Sequence, residues 1–232
     1  MRNQFVLFFA AMLFGGSASA EESPAVVEDV KELSAPQTTR EKASYGIGRR
    51  IGNQLRSEGV NVHPGYLLEG IVDALKGKEL VVSQEELREA MMTFQQQRRQ
   101  ALSQRNKREG ELFLKGNKEK EGVVVLPSGL QYEILQSGDG ASPTLDDKVR
   151  AHYHGTFING TVFDSSVRRG ESAVFPVGGV IKGWVEALQL MHVGDKWRLY
   201  VPSELAYGDS GFRQAIGPNA TLIFEVELLG IE

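Results

Sequence analysis

No cysteine occurs in the 232 residues, which excludes disulfides, thiol catalysis and zinc–thiolate sites. Neither sign of charge dominates. The 26 basic and 30 acidic side chains leave a formal charge of −4, which argues against a dedicated nucleic-acid binder. The apolar run "FVLFFAAMLFGG" near the start falls short of the roughly 20 residues that a spanning helix needs. There is no G-x-S-x-G nucleophile elbow. "GIGRRIG" at 46–52 has the wrong spacing for a dinucleotide fingerprint, and no strand precedes it. What remains is ordinary globular composition, 41% hydrophobic and 24% charged, over a length that suits one large domain or two small ones.

The first twenty residues read as a secretory signal peptide. Arg2 is their only charge, an apolar stretch follows, and "ASA" at 18–20 supplies small residues where a signal peptidase reads, so cleavage is expected after Ala20. The mature chain loses Arg2 and has no lipid-attachment cysteine. A soluble exported protein is expected, periplasmic in a Gram-negative host, with outer-membrane association or secretion left open and no membrane span after signal removal. A cysteine-free chain fits an oxidising compartment.

Residues 21–37 are acidic and carry two prolines, and they read as a flexible leader. Residues 38–82 read as an all-α region. "TTRE" at 38–41 is a capping box, followed by Ile47, Ile51 and Leu55 on one helical face. Gly46, Gly48 and Gly52 fall in the same helix, each costing about 1 kcal/mol against alanine, which implies an offsetting close contact. A second helix begins at Pro64, a residue suited to a first helical position. It presents Leu67, Leu68, Ile71 and Leu75 and ends at Gly77. "SQEE" at 83–86 is another capping box and opens a long connecting helix over 83–121. Leu87, Met91 and Phe94 give it an apolar start. From Gln95 to Glu111 it is almost entirely polar, which reads as a solvated spacer. These stripes carry too little mass to bury much area in one chain. A homodimer through residues 38–95 is therefore expected, the competing reading being that the helices fold back on the C-terminal domain.

Past Gly122 the period changes from helical to alternating. "GLQYEILQ", "KVRAHYHGTFI", "KWRLYVP" and "TLIFEVELLGI" read as strands, Asn159-Gly160 signals a hairpin, and "KGWVEALQLM" is one short helix. Residues 122–232 are thus expected to form a twisted antiparallel sheet wrapped on one helix, an α+β arrangement.

Chemistry concentrates in "HYHGTFINGTVFDSS", residues 152–166. His152 and His154 share one face of a strand with Arg150, while Val149, Ala151 and Tyr153 take the other. A His-x-His pair needs a third ligand to hold zinc, and the sequence places none, so the pair reads as surface histidines. No histidine with a supporting third group accompanies Asp164-Ser165-Ser166. No second carboxylate shares the apolar setting of Asp164 as a glycosidase would require. Asp164 remains a carboxylate among aromatics: Tyr153, Phe163, Phe175, Trp184, Tyr207 and Phe224. Each also has a bland reading, as core for Trp184 and Phe224, and as turn-former or helix cap for Asp164.

"HYHGTFINGTVFDSS", "VIKGWVEALQLM", "VPSELAYG" and "IGPNATLIFEVELLGI" occur in order over 122–232. Together they resemble the FKBP family of peptidyl-prolyl cis/trans isomerases. With its leader and helices the whole chain is similar to the exported, dimeric FKBPs of the macrophage infectivity potentiator (Mip) type, whose N-terminal helices intertwine as the dimer interface. The resemblance implies a non-covalent isomerase of proline-containing unfolded or partly folded polypeptides that needs no metal and no cofactor and is open to macrolide FKBP inhibitors. It implies catalytic roles for Asp164, Tyr207 and Tyr153. Phe163, Phe175, Val180, Ile181, Trp184, Ile216 and Phe224 are implied as the substrate pocket, with the backbone N–H of Ile181 meeting the substrate carbonyl. Two departures stand out. Ala173 replaces a frequent phenylalanine, which should widen that wall, and the loop "GDSGFRQAIGPN" carries Phe212 and Arg213 at its tip.

Assisted folding of exported proteins by prolyl isomerisation is the leading function. A periplasmic holdase-type chaperone, whose dimer cleft binds clients with isomerisation incidental, is the alternative. No repeat or large exposed apolar segment supports a third reading as an adhesion protein.

Overall fold

The computed structural model describes residues 34–232 apart from 58 and 214. The expected signal peptide and most of the leader lie outside the described residues. The chain divides into two compact units, the first ending at Val81 and the second running from Val82 to Glu232.

The first unit holds α1 (Thr39–Ser57) and α2 (Pro64–Leu75). The capping box opens α1 as expected: Glu41 N–H donates to Thr38 Oγ1 at 3.2 Å, and Thr38 N–H donates to Glu41 Oε2 at 2.9 Å. The hydrogen bonds to Thr38 and Gln37 hold the Glu41 carboxyl below its ordinary pKa. The His63 side chain caps α2 by accepting from Tyr66 N–H. Neither helix buries a single residue, and Ile47, Leu68, Ile71 and Leu75 stand exposed. Gly46, Gly48 and Gly52 have nothing within 4 Å of where a Cβ would sit, so the close contact expected at these glycines is not made within the chain as described.

The second unit opens with α3 (Gln84–Asn117), started by a complete Ser83/Glu86 capping box. A seven-stranded antiparallel sheet follows, made of β1 (Val123–Val125), β2 (Gln131–Gln136), β3 (Lys148–Phe157), β4 (Val162–Ser165), β5 (Ala173–Pro176), β6 (Lys196–Val201) and β7 (Leu222–Ile231). Its order is β1-β2-β6-β7-β3-β4, with β5 paired to the first half of β3. A single-turn helix, α4 (Ser166–Arg169), follows β4, and α5 (Lys182–Leu190) packs on the sheet. Trp184, Ala187, Leu188 and Met191 form one core with Val149, Ala151, Leu199, Val226 and Leu228. The α+β expectation holds.

One reading of α3 is corrected. Its second half is not a free solvated spacer. Gly110 and Asn117 are buried, Asn117 Nδ2 donates to Gln131 Oε1 at 3.0 Å, and the Phe113 ring lies 6.0 Å from that of Tyr200. Hydrophobic periodicity could not reveal this face, because small and polar residues make most of its contacts.

Candidate active site

The inward period of β3 points Tyr153 to the same side as buried Val149 and Ala151. The Ser166 hydroxyl fixes this stretch, accepting from Tyr153 N–H at 2.7 Å and donating to Tyr153 O at 3.2 Å. The turn at Asn159-Gly160 returns the chain as β4: Phe157 N–H donates to Thr161 O at 2.9 Å, and Asn159 Oδ1 accepts from Thr161 N–H at 3.0 Å. This delivers Phe163 and Asp164 beside β3. Gly155 lets the Phe163 ring lie against the strand, since a Cβ there would sit 2.6 Å from a ring carbon.

Trp184 forms the floor, 4% exposed. Tyr153, Phe175 and Phe224 surround it edge-on, with ring centroids 5.5, 5.4 and 5.3 Å away, an arrangement that aromatic quadrupoles favour. Phe163 meets Phe224 in the same way at 5.5 Å. The resulting cavity, about 590 Å³, is lined by these rings together with Asp164, Val180, Ile181, Lys182, Ala206, Tyr207 and Phe212.

The polar rim is a three-membered cluster. Tyr153 Oη donates to Asp164 Oδ2 at 2.5 Å. Arg169 binds Asp164 Oδ1 through Nη1 and donates from Nη2 to Tyr153 Oη at 3.0 Å. Ser165 caps α4 by accepting from Arg168 N–H, and Gly170 ends it with φ 75°, so one helical turn brings Arg169 back over Asp164. Burial pushes the Asp164 carboxyl up, but the bonds from Tyr153 and Arg169 and the Arg169 charge outweigh it and hold it below the usual carboxylate range. Burial, then the Asp164 bond, pushes the Tyr153 phenol up. Burial first and the Asp164 charge second do the same to Tyr207. The rim therefore keeps an ionised carboxylate beside two protonated phenols at neutral pH.

Two donors face no internal acceptor. The Tyr207 hydroxyl has no hydrogen-bond partner among the described residues, and neither has the backbone N–H of Ile181, which precedes α5. Tyr207 stacks on Phe212 at 4.8 Å.

Of the residues singled out from the sequence, Asp164, Tyr207, Tyr153, Phe163, Phe175, Val180, Ile181, Trp184 and Phe224 converge on this cavity. Ile216 does not line it and sits in the core, 5% exposed. Ala173 is also off the lining and pairs across the sheet with Ala151. Sequence reasoning missed Arg169 and left Phe212 as a loop departure. The only pointer to Arg169 is the serine cap and the glycine that bound its helical turn. His152 and His154 each meet a serine, with Nδ1 at 3.1 Å from Ser166 Oγ and 2.9 Å from Ser165 Oγ respectively.

Comparison with known proteins covers nearly the whole described chain. Residues 140–229 match the family described as FKBP-type peptidyl-prolyl cis-trans isomerase, and residues 40–134 match the domain amino terminal to it. The "Outer membrane protein MIP" of Legionella longbeachae is 42% identical over 84% of this chain and 87% of its own length. The "FKBP-type 22 kDa peptidyl-prolyl cis-trans isomerase" of Escherichia coli is 48% identical over 84% and 96%. The crystal structure of FkpA from Escherichia coli superposes with a TM-score of 0.64 at 32% identity, over 85% of this chain and 99% of that one.

Proposed function

The chain belongs to the FKBP-type peptidyl-prolyl cis-trans isomerases, and we propose that its aromatic bowl turns X–Pro amides by stabilising the twisted bond without transferring a proton. Rotation about such a bond faces a barrier of about 18–20 kcal/mol that comes from amide resonance. Only interactions stronger in the twisted state lower it. The planar amide is charge-separated and the twisted one less so, so exchanging water for the rings around Trp184 favours the twisted form. The proline ring occupies the floor, and the unpaired N–H of Ile181 holds the substrate carbonyl on one side of the rotating bond. The Tyr207 hydroxyl donates to a second carbonyl. Asp164 keeps the Tyr153 hydroxyl and Arg169 aligned at the rim.

The observation that carries this reading is the bowl itself, an apolar cavity of about 590 Å³ whose one carboxylate is held ionised by the Tyr153 and Arg169 bonds. Such a carboxylate is poorly suited to proton transfer and well suited to holding geometry. The test is cis-to-trans exchange of a short Xaa-Pro peptide with Asp164→Ala. Losing a charge-assisted hydrogen bond predicts a fall of about tenfold or more, and an unchanged rate removes Asp164 from the mechanism.

Proline-containing polypeptides are the substrates of this activity, and FKBP domains bind macrolides. A homodimer through residues 38–95 and a periplasmic location belong to the same proposal. The dimer is supported by the exposed apolar residues of α1, α2 and the first turns of α3, among them Ile47, Ile71, Leu75, Leu87 and Met91. The location is supported by the signal-like leader and by a relative named as an outer membrane protein. No helix among the described residues is long and apolar enough to cross a membrane.

A further inference from the structure

From the loop that follows Tyr207, Phe212 lines one side of the bowl, and α3 meets the described ends of that loop. Within the loop, Phe212 and Ile216 pair across the tip, N–H to carbonyl in both directions at 2.9 and 3.1 Å. Asn219 N–H donates to Gly208 O at 2.8 Å and closes the base. Arg213 at the tip has φ 51°, a left-handed backbone uncommon for a side chain of its size, and its guanidinium lies over the Phe212 ring. Such a conformation persists only where surrounding contacts hold it.

The two ends of the loop are also held from outside. Arg99 Nη2 donates to the carbonyls of both Asp209 and Ser210 at 3.0 Å. Asn106 Nδ2 donates to Pro218 O at 2.8 Å, and Asn219 Nδ2 donates to Ser103 Oγ at 2.7 Å. Leu102 lies against Gly217, where a Cβ would approach its methyl group to 3.1 Å. Positions 99, 102, 103, 106 and 110 recur at helical spacing on one face. At the last of them Gly110 meets Thr221, just before β7, so closely that a Cβ would fall 2.2 Å from Thr221 Oγ1.

We propose that Arg99, Ser103 and Asn106 are positioning residues for the pocket: through them α3 sets the 208–219 loop so that Phe212 rests on Tyr207 and completes the wall facing the substrate residue next to proline. The long helix thus acts on substrate recognition as well as carrying the domain. This rests on the pocket reading above and adds a role for residues that touch no substrate. Arg99 and Asn106 donate to backbone carbonyls, so their hold on the loop does not depend on its side chains, while Ser103 adds an acceptor for the Asn219 amide.

The test is a double-mutant cycle in the full chain. Arg99→Ala, Phe212→Ala and the pair are compared for kcat and KM on an Xaa-Pro peptide with a bulky residue before proline, with macrolide Kd as a second readout. Arg99 is exposed, so folding should be retained, and thermal unfolding checks it. The expected result is a KM and Kd raised about three- to tenfold by Arg99→Ala, the worth of one net hydrogen bond. The kcat should hold steady, Arg99→Lys should recover part of the loss, and there should be no further loss when Phe212 is already alanine. Asn106→Ala with Phe212→Ala forms a second cycle with the same expectation. Full additivity, or unchanged KM and Kd for both α3 variants while Phe212→Ala raises them, overturns the helix role and leaves the pocket reading standing. No effect of Phe212→Ala overturns the proposal at its first step, while wild-type exchange still tests the pocket.

Discussion

Arg169 and Asp164 are 50% and 44% exposed at the side chain, so their ion pair acts through geometry more than through energy. Solvent screens such exposed pairs, so they add little to stability. Arg169→Ala should therefore lower kcat/KM by about two- to fivefold without a measurable change in melting temperature, a milder effect than Asp164→Ala. The pH dependence follows from the same cluster. The folded Asp164 carboxyl titrates below its ordinary value. Its contribution is thus fully present above the ordinary carboxylate pKa and is lost only as pH falls through the lowered one. Tyr153 and Tyr207 titrate above the ordinary phenol value, so both stay protonated up to about pH 10. A flat kcat/KM between about pH 5 and 9 is expected, and an inflection inside that window contradicts catalysis without proton transfer. At this scale most of the site was legible through the four ordered motifs that resemble the FKBP family, since periodicity alone leaves each of these side chains a core or turn reading as well. Arg169 was not, since its role depends on one capped turn folding back. Ile216, implied as a pocket wall by the resemblance, is instead buried in the core.

Among the elements, the long strands and helices were readable from their periods, while β1, β4, β5 and α4 are too short to show one. The C-terminal half of α3 was misread for a different reason. Its packing uses Gly110, Asn106 and Asn117, and a hydrophobicity pattern has no entry for a backbone approach or an amide donor. Gly110→Ala is the sharpest check. Alanine gains about 1 kcal/mol in helix propensity, yet its Cβ would fall 2.2 Å from Thr221 Oγ1. The variant should melt lower than wild type, and a higher melting temperature contradicts the docking of α3. Gly155→Ala should disturb the bowl itself, since the new Cβ meets Phe163 at 2.6 Å and Phe224 at 3.1 Å. A loss of about 1–3 kcal/mol of stability, with weaker macrolide binding, is expected from denaturant unfolding and titration.

For the whole molecule, the first unit's exposed apolar faces and its three helix glycines, open to 4 Å, are the observations on which the proposed homodimer rests. Gly48→Ala is expected to weaken dimerisation in sedimentation while leaving peptide exchange intact. If the wild-type chain sediments as a monomer, the dimer proposal fails and the exposed faces fit client holding better. The central claim is that isomerisation happens in the Trp184 bowl. Exchange spectroscopy of a short Xaa-Pro peptide, with an FKBP-directed macrolide titrated against the purified protein, tests it most directly. The account predicts accelerated cis-to-trans exchange that falls to the uncatalysed rate once each chain has bound one macrolide. Acceleration that persists with the bowl occupied contradicts it.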